Sequence, residues 1–136
     1  MIITNNGSGS FTVTEPSTTI ATYNLTTKVY LNNIQVATVI PHTFSPTIGV
    51  HEIKIEMANV SSTFTDKYCL LYDDNLYCDI VTKLGTMSET DRVKSNLPYM
   101  YYVLAQGTTS TSCVCQCDNV KTFYTELKDT ITAPIC

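Results

Sequence analysis

Val50-His51-Glu52-Ile53-Lys54-Ile55-Glu56-Met57 alternates apolar and polar residues, and its reading decides the fold class. Side chains along a strand point to opposite faces in turn. Ile53, Ile55 and Met57 therefore share one face, and Glu52, Lys54 and Glu56 the other. A helix would scatter both sets around its circumference, so the segment reads as a half-buried strand with one wet face.

Working toward the N-terminus, the same strand-like pattern continues in short pieces. Pro41 to Gly49 reads as a loop. Ile34 to Ile40 and Lys28 to Leu31 are apolar and β-branched runs flanking Asn32-Asn33, a pair able to supply the two positive-φ residues of a tight hairpin. Thr18 to Leu25 and Phe11 to Thr14 read as two more strands, separated by the turn Glu15-Pro16-Ser17. Residues 1–10 end in Asn-Asn-Gly-Ser-Gly-Ser, which predicts a flexible arm; Ile2 and Ile3 would let it add a strand to another chain. Residues 1–60 carry only five charged side chains, Glu15, Lys28, Glu52, Lys54 and Glu56. Five or six short strands at this spacing predict a small antiparallel β-sandwich or barrel, fibronectin-like in outline.

Past Ser61-Ser62 the spacing suggests helices, so an α+β chain is expected: a β module over 1–60, then a helical region over 61–136. The first helix is expected near 66–84, apolar on several sides, with Thr65 or Asp66 at its start and Gly85 at its end. A second is expected near 88–96 from the weak capping pair Ser88 and Asp91. Pro98 suits the first turn of a third near 98–106. Asp118 can cap a fourth near 118–128, where Val120, Phe123, Tyr124 and Leu127 fall on one face.

Composition bounds the function. The chain has 136 residues, enough for one domain. Charged residues make up 15%, and the chain holds 23 Thr, 10 Ser, 9 Tyr, no Trp and a single arginine, Arg92. A formal charge of −4 argues against nucleic-acid binding, which needs a clustered basic face. No run approaches the ~18 apolar residues of a membrane helix. No basic residue followed by an apolar run opens the chain, so a reducing cytoplasm is the expected site of synthesis. Asn24-Leu25-Thr26 and Asn59-Val60-Ser61 match the glycosylation pattern, a short motif that a Thr- and Ser-rich chain produces by chance.

The chemistry-bearing residues are few. Cys113, Cys115 and Cys117, with Cys136, are open to three readings: a metal site, a disulfide, or plain packing of thiols. On an extended strand, residues two apart rise roughly 6.6 Å, whereas thiolates sharing a zinc ion lie within about 4 Å of one another. Packing is therefore expected and no metal. Cys69 and Cys78, nine apart on one helix, would face opposite ways as buried thiols. His42 and His51 have no sequence-adjacent partner that marks a general base, and Asp73, Asp74 and Asp79 lack calcium-loop spacing, which leaves them on a solvated or interface-facing helix edge. The catalytic motif census is empty, so no enzyme and no cofactor are expected. Tyr99, Tyr101 and Tyr102 crowd one short segment, suited to a core or to a partner.

Residues 67–84, KYCLLYDDNLYCDIVTKL, with YYVLAQG at 101–107 and CVCQCDNVKTFYTEL at 113–127, resemble small virion proteins of tailed bacteriophages, nearest to those of crAss-like phages of Bacteroidetes bacteria. The resemblance covers about the C-terminal half. It implies a virion protein, made in the host cytoplasm, that forms a ring in the neck (the head–tail connector) or tail. The implied partners are copies of itself and adjacent neck, portal or tail proteins, with no sequence-specific nucleic acid and no membrane. The alternative expectation is a metal- or disulfide-stabilised extracellular binding module.

Overall fold

The computed structural model describes residues 1–73, 75–86, 88, 110–111 and 117–130. Within them the chain is α+β, built as two antiparallel four-stranded sheets with helices against the second. The strands are β1 (Ile2–Gly7), β2 (Ser10–Thr14), β3 (Thr26–Leu31), β4 (Ile34–Ala37), β5 (His42–Phe44), β6 (Gly49–Ala58), β7 (Thr63–Tyr72) and β8 (Ser110–Thr111). The helices are α1 (Ser17–Tyr23), α2 (Tyr77–Thr86) and α3 (Cys117–Thr130). The first sheet runs β5-β2-β1-β8 and the second β4-β3-β6-β7.

The predicted alternation is what assembles the sandwich. Ile53, Ile55 and Met57 of β6 turn inward with Val29 and Leu25, and meet Ile3, Phe11 and Val13 of the first sheet. Val13 and Ile55 are wholly buried, each side chain contributing roughly 1.5–3 kcal/mol through burial. Asn32 and Asn33 form the tight β3–β4 turn with φ of 51° and 66°, as the sequence indicates. In the β1–β2 turn Gly9 has φ of 78°. A Cβ there would stand 2.6 Å from the Tyr72 hydroxyl, so a side chain would displace that ring and strain the backbone.

Three expectations are corrected. Residues 66–84 are not one helix: β7 takes the first part and α2 the second. Tyr68 and Leu70 point into the sandwich core, while Cys69 and Leu71 point into a second core with Ile80, Val120, Phe123, Tyr124 and Leu127. A strand buried on both faces loses its alternation and imitates a helix in sequence. The break near residue 60 is therefore a hairpin turn between β6 and β7, in register from Gly49↔Tyr72 to Ala58↔Thr63.

Residues 1–10 are not a flexible arm. β1 pairs with β2 on one side and β8 on the other, and Met1 and Ile3 are buried. The Gly/Ser run is the hairpin turn itself. Thr18 to Leu25 is mostly α1, not a strand. Pro16 precedes the helix with φ of −55°, and left-handed Asn24 (φ 50°) ends it. Helix α3 matches the expected fourth helix closely and packs on β6 and β7. The helices expected near 88–96 and 98–106 lie outside the described residues.

Candidate functional site

The residues singled out from sequence do not converge. His51 is buried on β6, its Nδ1 3.0 Å from Asn32 Nδ2 and its Nε2 2.7 Å from the Thr47 carbonyl oxygen. Asn32 Oδ1 accepts the Glu52 amide, so its NH2 group faces the ring. His51 therefore accepts at Nδ1 and donates from Nε2, tying the β3–β4 turn to the loop before β6. His42, on β5, stacks on Phe44 with ring centroids 6.2 Å apart. Neither histidine faces a nucleophile among the described residues.

Asp73 and Asp79 are buried, correcting their placement on a solvated or interface-facing helix edge, and Asp74 lies outside the described residues. Asp73 Oδ1 accepts the Asn75 and Leu76 amides, and its Oδ2 accepts the Tyr124 hydroxyl at 2.6 Å. Burial, then the neighbouring Asp73, pushes the Tyr124 phenol well above the ordinary tyrosine range. Cys69 is wholly buried and disulfide-bonded, which corrects the reading of it as a packed thiol. With Cys69 on a strand, the helical argument separating it from Cys78 lapses. Cys113, Cys115 and Cys136, like Tyr99, Tyr101 and Tyr102, lie outside the described residues. Among the described residues, no group of three or more His, Cys, Asp or Glu is placed to hold a metal ion.

One ionic cluster is partly buried. The Met1 ammonium lies 3.1 Å from Glu15 Oε2 and 2.5 Å from Asp66 Oδ2. Glu15 Oε1 is buried, with no hydrogen-bond partner among the described residues. Desolvation pushes the Glu15 carboxyl up to about 7; the neighbouring Asp66 carboxyl adds to the rise, and the ammonium opposes it.

Two surfaces stand out. The first is β4, at the free edge of its sheet. It carries no charge, and Ile34 is 69% exposed, Val36 42% and, just beyond it, Val39 69%. The second is a groove between α1 and the β6–β7 turn. A cavity of about 410 Å³ is walled by Thr19, Tyr23, Leu25, Met57 and Phe64. A neighbouring one of about 450 Å³ shares Tyr23 and extends over Asn24 to the 58–61 turn. Asn59 fixes this geometry: its Oδ1 accepts the Ser61 and Ser62 amides, and its Nδ2 donates to the Tyr23 carbonyl at 3.1 Å. That amide is committed, which argues against glycosylation of folded Asn59.

Sequence reasoning marked neither surface. The missing charge on 34–39 was the available signal for the edge; nothing in sequence signalled the groove, because α1 read as a strand. No family model, curated protein or solved structure matches the chain.

Proposed function

We propose that the protein is a structural virion component, a ring-forming neck or tail protein of a tailed bacteriophage that works through subunit contacts and without turnover. Its partners in this reading are copies of itself and the adjacent neck, portal or tail proteins. The observation that carries the reading is the β4 edge. An exposed edge strand is a template for another chain, and natural proteins guard such edges with lysine, proline or a covering element. Ile34-Gln35-Val36-Ala37 carries no such guard, and its apolar side chains lie bare to solvent. Strand addition there satisfies the open backbone groups and buries those side chains together. The supporting arm is therefore β4, in place of residues 1–10, whose strand is already paired inside its own sheet.

Light scattering with the purified protein and with an Ile34→Lys/Val36→Lys variant tests this. The parent should form closed oligomers of one size, and the variant should stay monomeric with an unchanged circular dichroism spectrum. A monomeric parent at all concentrations, alone and with its neighbouring virion proteins, would refute the reading.

The Cys69 disulfide favours a second reading, an extracellular disulfide-stabilised binding module, because such bonds persist in oxidising surroundings. Thiol trapping in producing cells separates the two. A bond that forms only on export, in protein that never joins particles, would favour the second.

A further inference from the structure

The groove beside α1 is built differently from the β4 edge. Its two aromatic walls, Tyr23 and Phe64, are 59% and 49% exposed, so each offers surface to a ligand. Among the described residues, no charged side chain lines either cavity. Polar but neutral residues share the lining: Asn24, Thr19 and Thr26, whose hydroxyl donates to the Ala58 carbonyl at 3.2 Å and keeps its lone pairs as acceptors. Each cavity falls within the ~300–1,000 Å³ of small-molecule sites. The groove is also held in shape before any ligand arrives, because Asn59 ties the β6–β7 turn to the end of α1 through the Tyr23 carbonyl. Left-handed Asn24 then turns the chain directly into β3.

We propose that this groove binds a neutral saccharide, with sugar rings laid against Tyr23 and Phe64 and hydroxyls meeting Asn24, Thr19 and Thr26. A pyranose has an apolar C–H face and a rim of hydroxyls. It matches a surface that alternates aromatic faces with uncharged donors and acceptors. An anionic or cationic ligand would find no opposite charge there to replace its hydration. A purely apolar ligand would cover the Asn24 amide without offering it a partner. Asn59 is a positioning residue in this arrangement, since its side-chain bonds go to the protein's own backbone.

The test is a series of nitrogen–proton correlation spectra of the full chain titrated with maltotriose, cellotriose and chitotriose, and with trigalacturonate as a charged comparison. At least one neutral trisaccharide should move amides within 19–26 and 57–64 at about millimolar concentration. Tyr23→Ala and Phe64→Ala should each weaken that binding about tenfold. Both residues are substantially exposed, so the variants should keep the parent's dispersion of signals. Ile34→Ala, on the β4 edge, should bind as the parent does. The proposal is overturned if none of the three neutral sugars moves these amides, or if trigalacturonate binds equally well. It is also overturned if the same amides shift with protein concentration alone, which would mean a second copy of the chain covers the groove.

Discussion

The Tyr124 hydroxyl donates a 2.6 Å hydrogen bond to Asp73 Oδ2, joining α3 to the turn that ends β7 across 51 residues of sequence. The other carboxylate oxygen holds the Asn75 and Leu76 amides, and Leu76 accepts the Ile80 amide that begins α2. One buried carboxylate thus organises the entry to α2 and the seat of α3. Tyr124→Phe should cost about 1.5–3 kcal/mol in urea unfolding, because it leaves a buried charged acceptor without its partner. The raised phenol also sets an alkaline limit. Above about pH 10 the unfolded chain releases a proton that the native state retains, so stability should fall there in the parent, and less steeply in the variant.

Glu15 predicts a second pH dependence, at lower pH. Its carboxyl titrates near 7 when folded and near 4.5 otherwise. Between those values the native state holds a proton that the unfolded chain has lost, so stability should be fullest below about 4.5 and decline as pH rises through 7. The decline is on the order of 3 kcal/mol. Glu15→Gln imitates the protonated form and should flatten this part of the curve. Denaturant midpoints measured from pH 4 to 8 in both proteins check it, and equal slopes would rule out Glu15 as the source.

The disulfide at Cys69 predicts at most four free thiols among the six cysteines when the protein is unfolded without reductant. Adding reductant should lower stability by about 2–4 kcal/mol and loosen α3 first, since Cys69 sits in the core beneath that helix. Six titratable thiols would contradict this.

What was legible in sequence was the part of the fold that meets water on one side. The alternation of β6 and the apolar face of α3 follow from a single buried surface against a polar one, and the Asn32-Asn33 turn from the positive φ that asparagine tolerates. The errors arose where that condition fails. Tyr68 to Leu71 is buried on both faces, so its period vanished. The Thr-rich segment of α1 has the β-branched composition of a strand, and only Pro16 and Asn24 at its ends bound it as a helix. Gly7, Ser8 and Gly9 read as slack, although they form the turn of a paired hairpin. The Asp73–Tyr124 bond, the Met1–Glu15–Asp66 cluster and the groove join residues far apart in sequence, where local patterns carry no signal.

Asn32 offers a check on the legible part. Its side chain serves both the Glu52 amide and His51, and its backbone occupies a left-handed conformation. Asn32→Ala should destabilise the protein by about 1–3 kcal/mol, through the lost bonds and the strained φ. Asn33→Gly, at φ 66° with no side-chain bond shown, should be close to neutral. Thermal unfolding of the two variants separates these outcomes.

Assembly through the β4 edge is tested most directly by amide hydrogen exchange of Ile34 to Ala37, followed from dilute to concentrated protein and in assembled particles. In the isolated subunit, those β4 amides that point away from β3 should exchange at rates near those of an open chain. In the oligomer they should slow by at least a hundredfold, together with the burial of Ile34 and Val36. Equal exchange in the two states, with protection appearing elsewhere or nowhere, would show that the subunits do not meet through this strand.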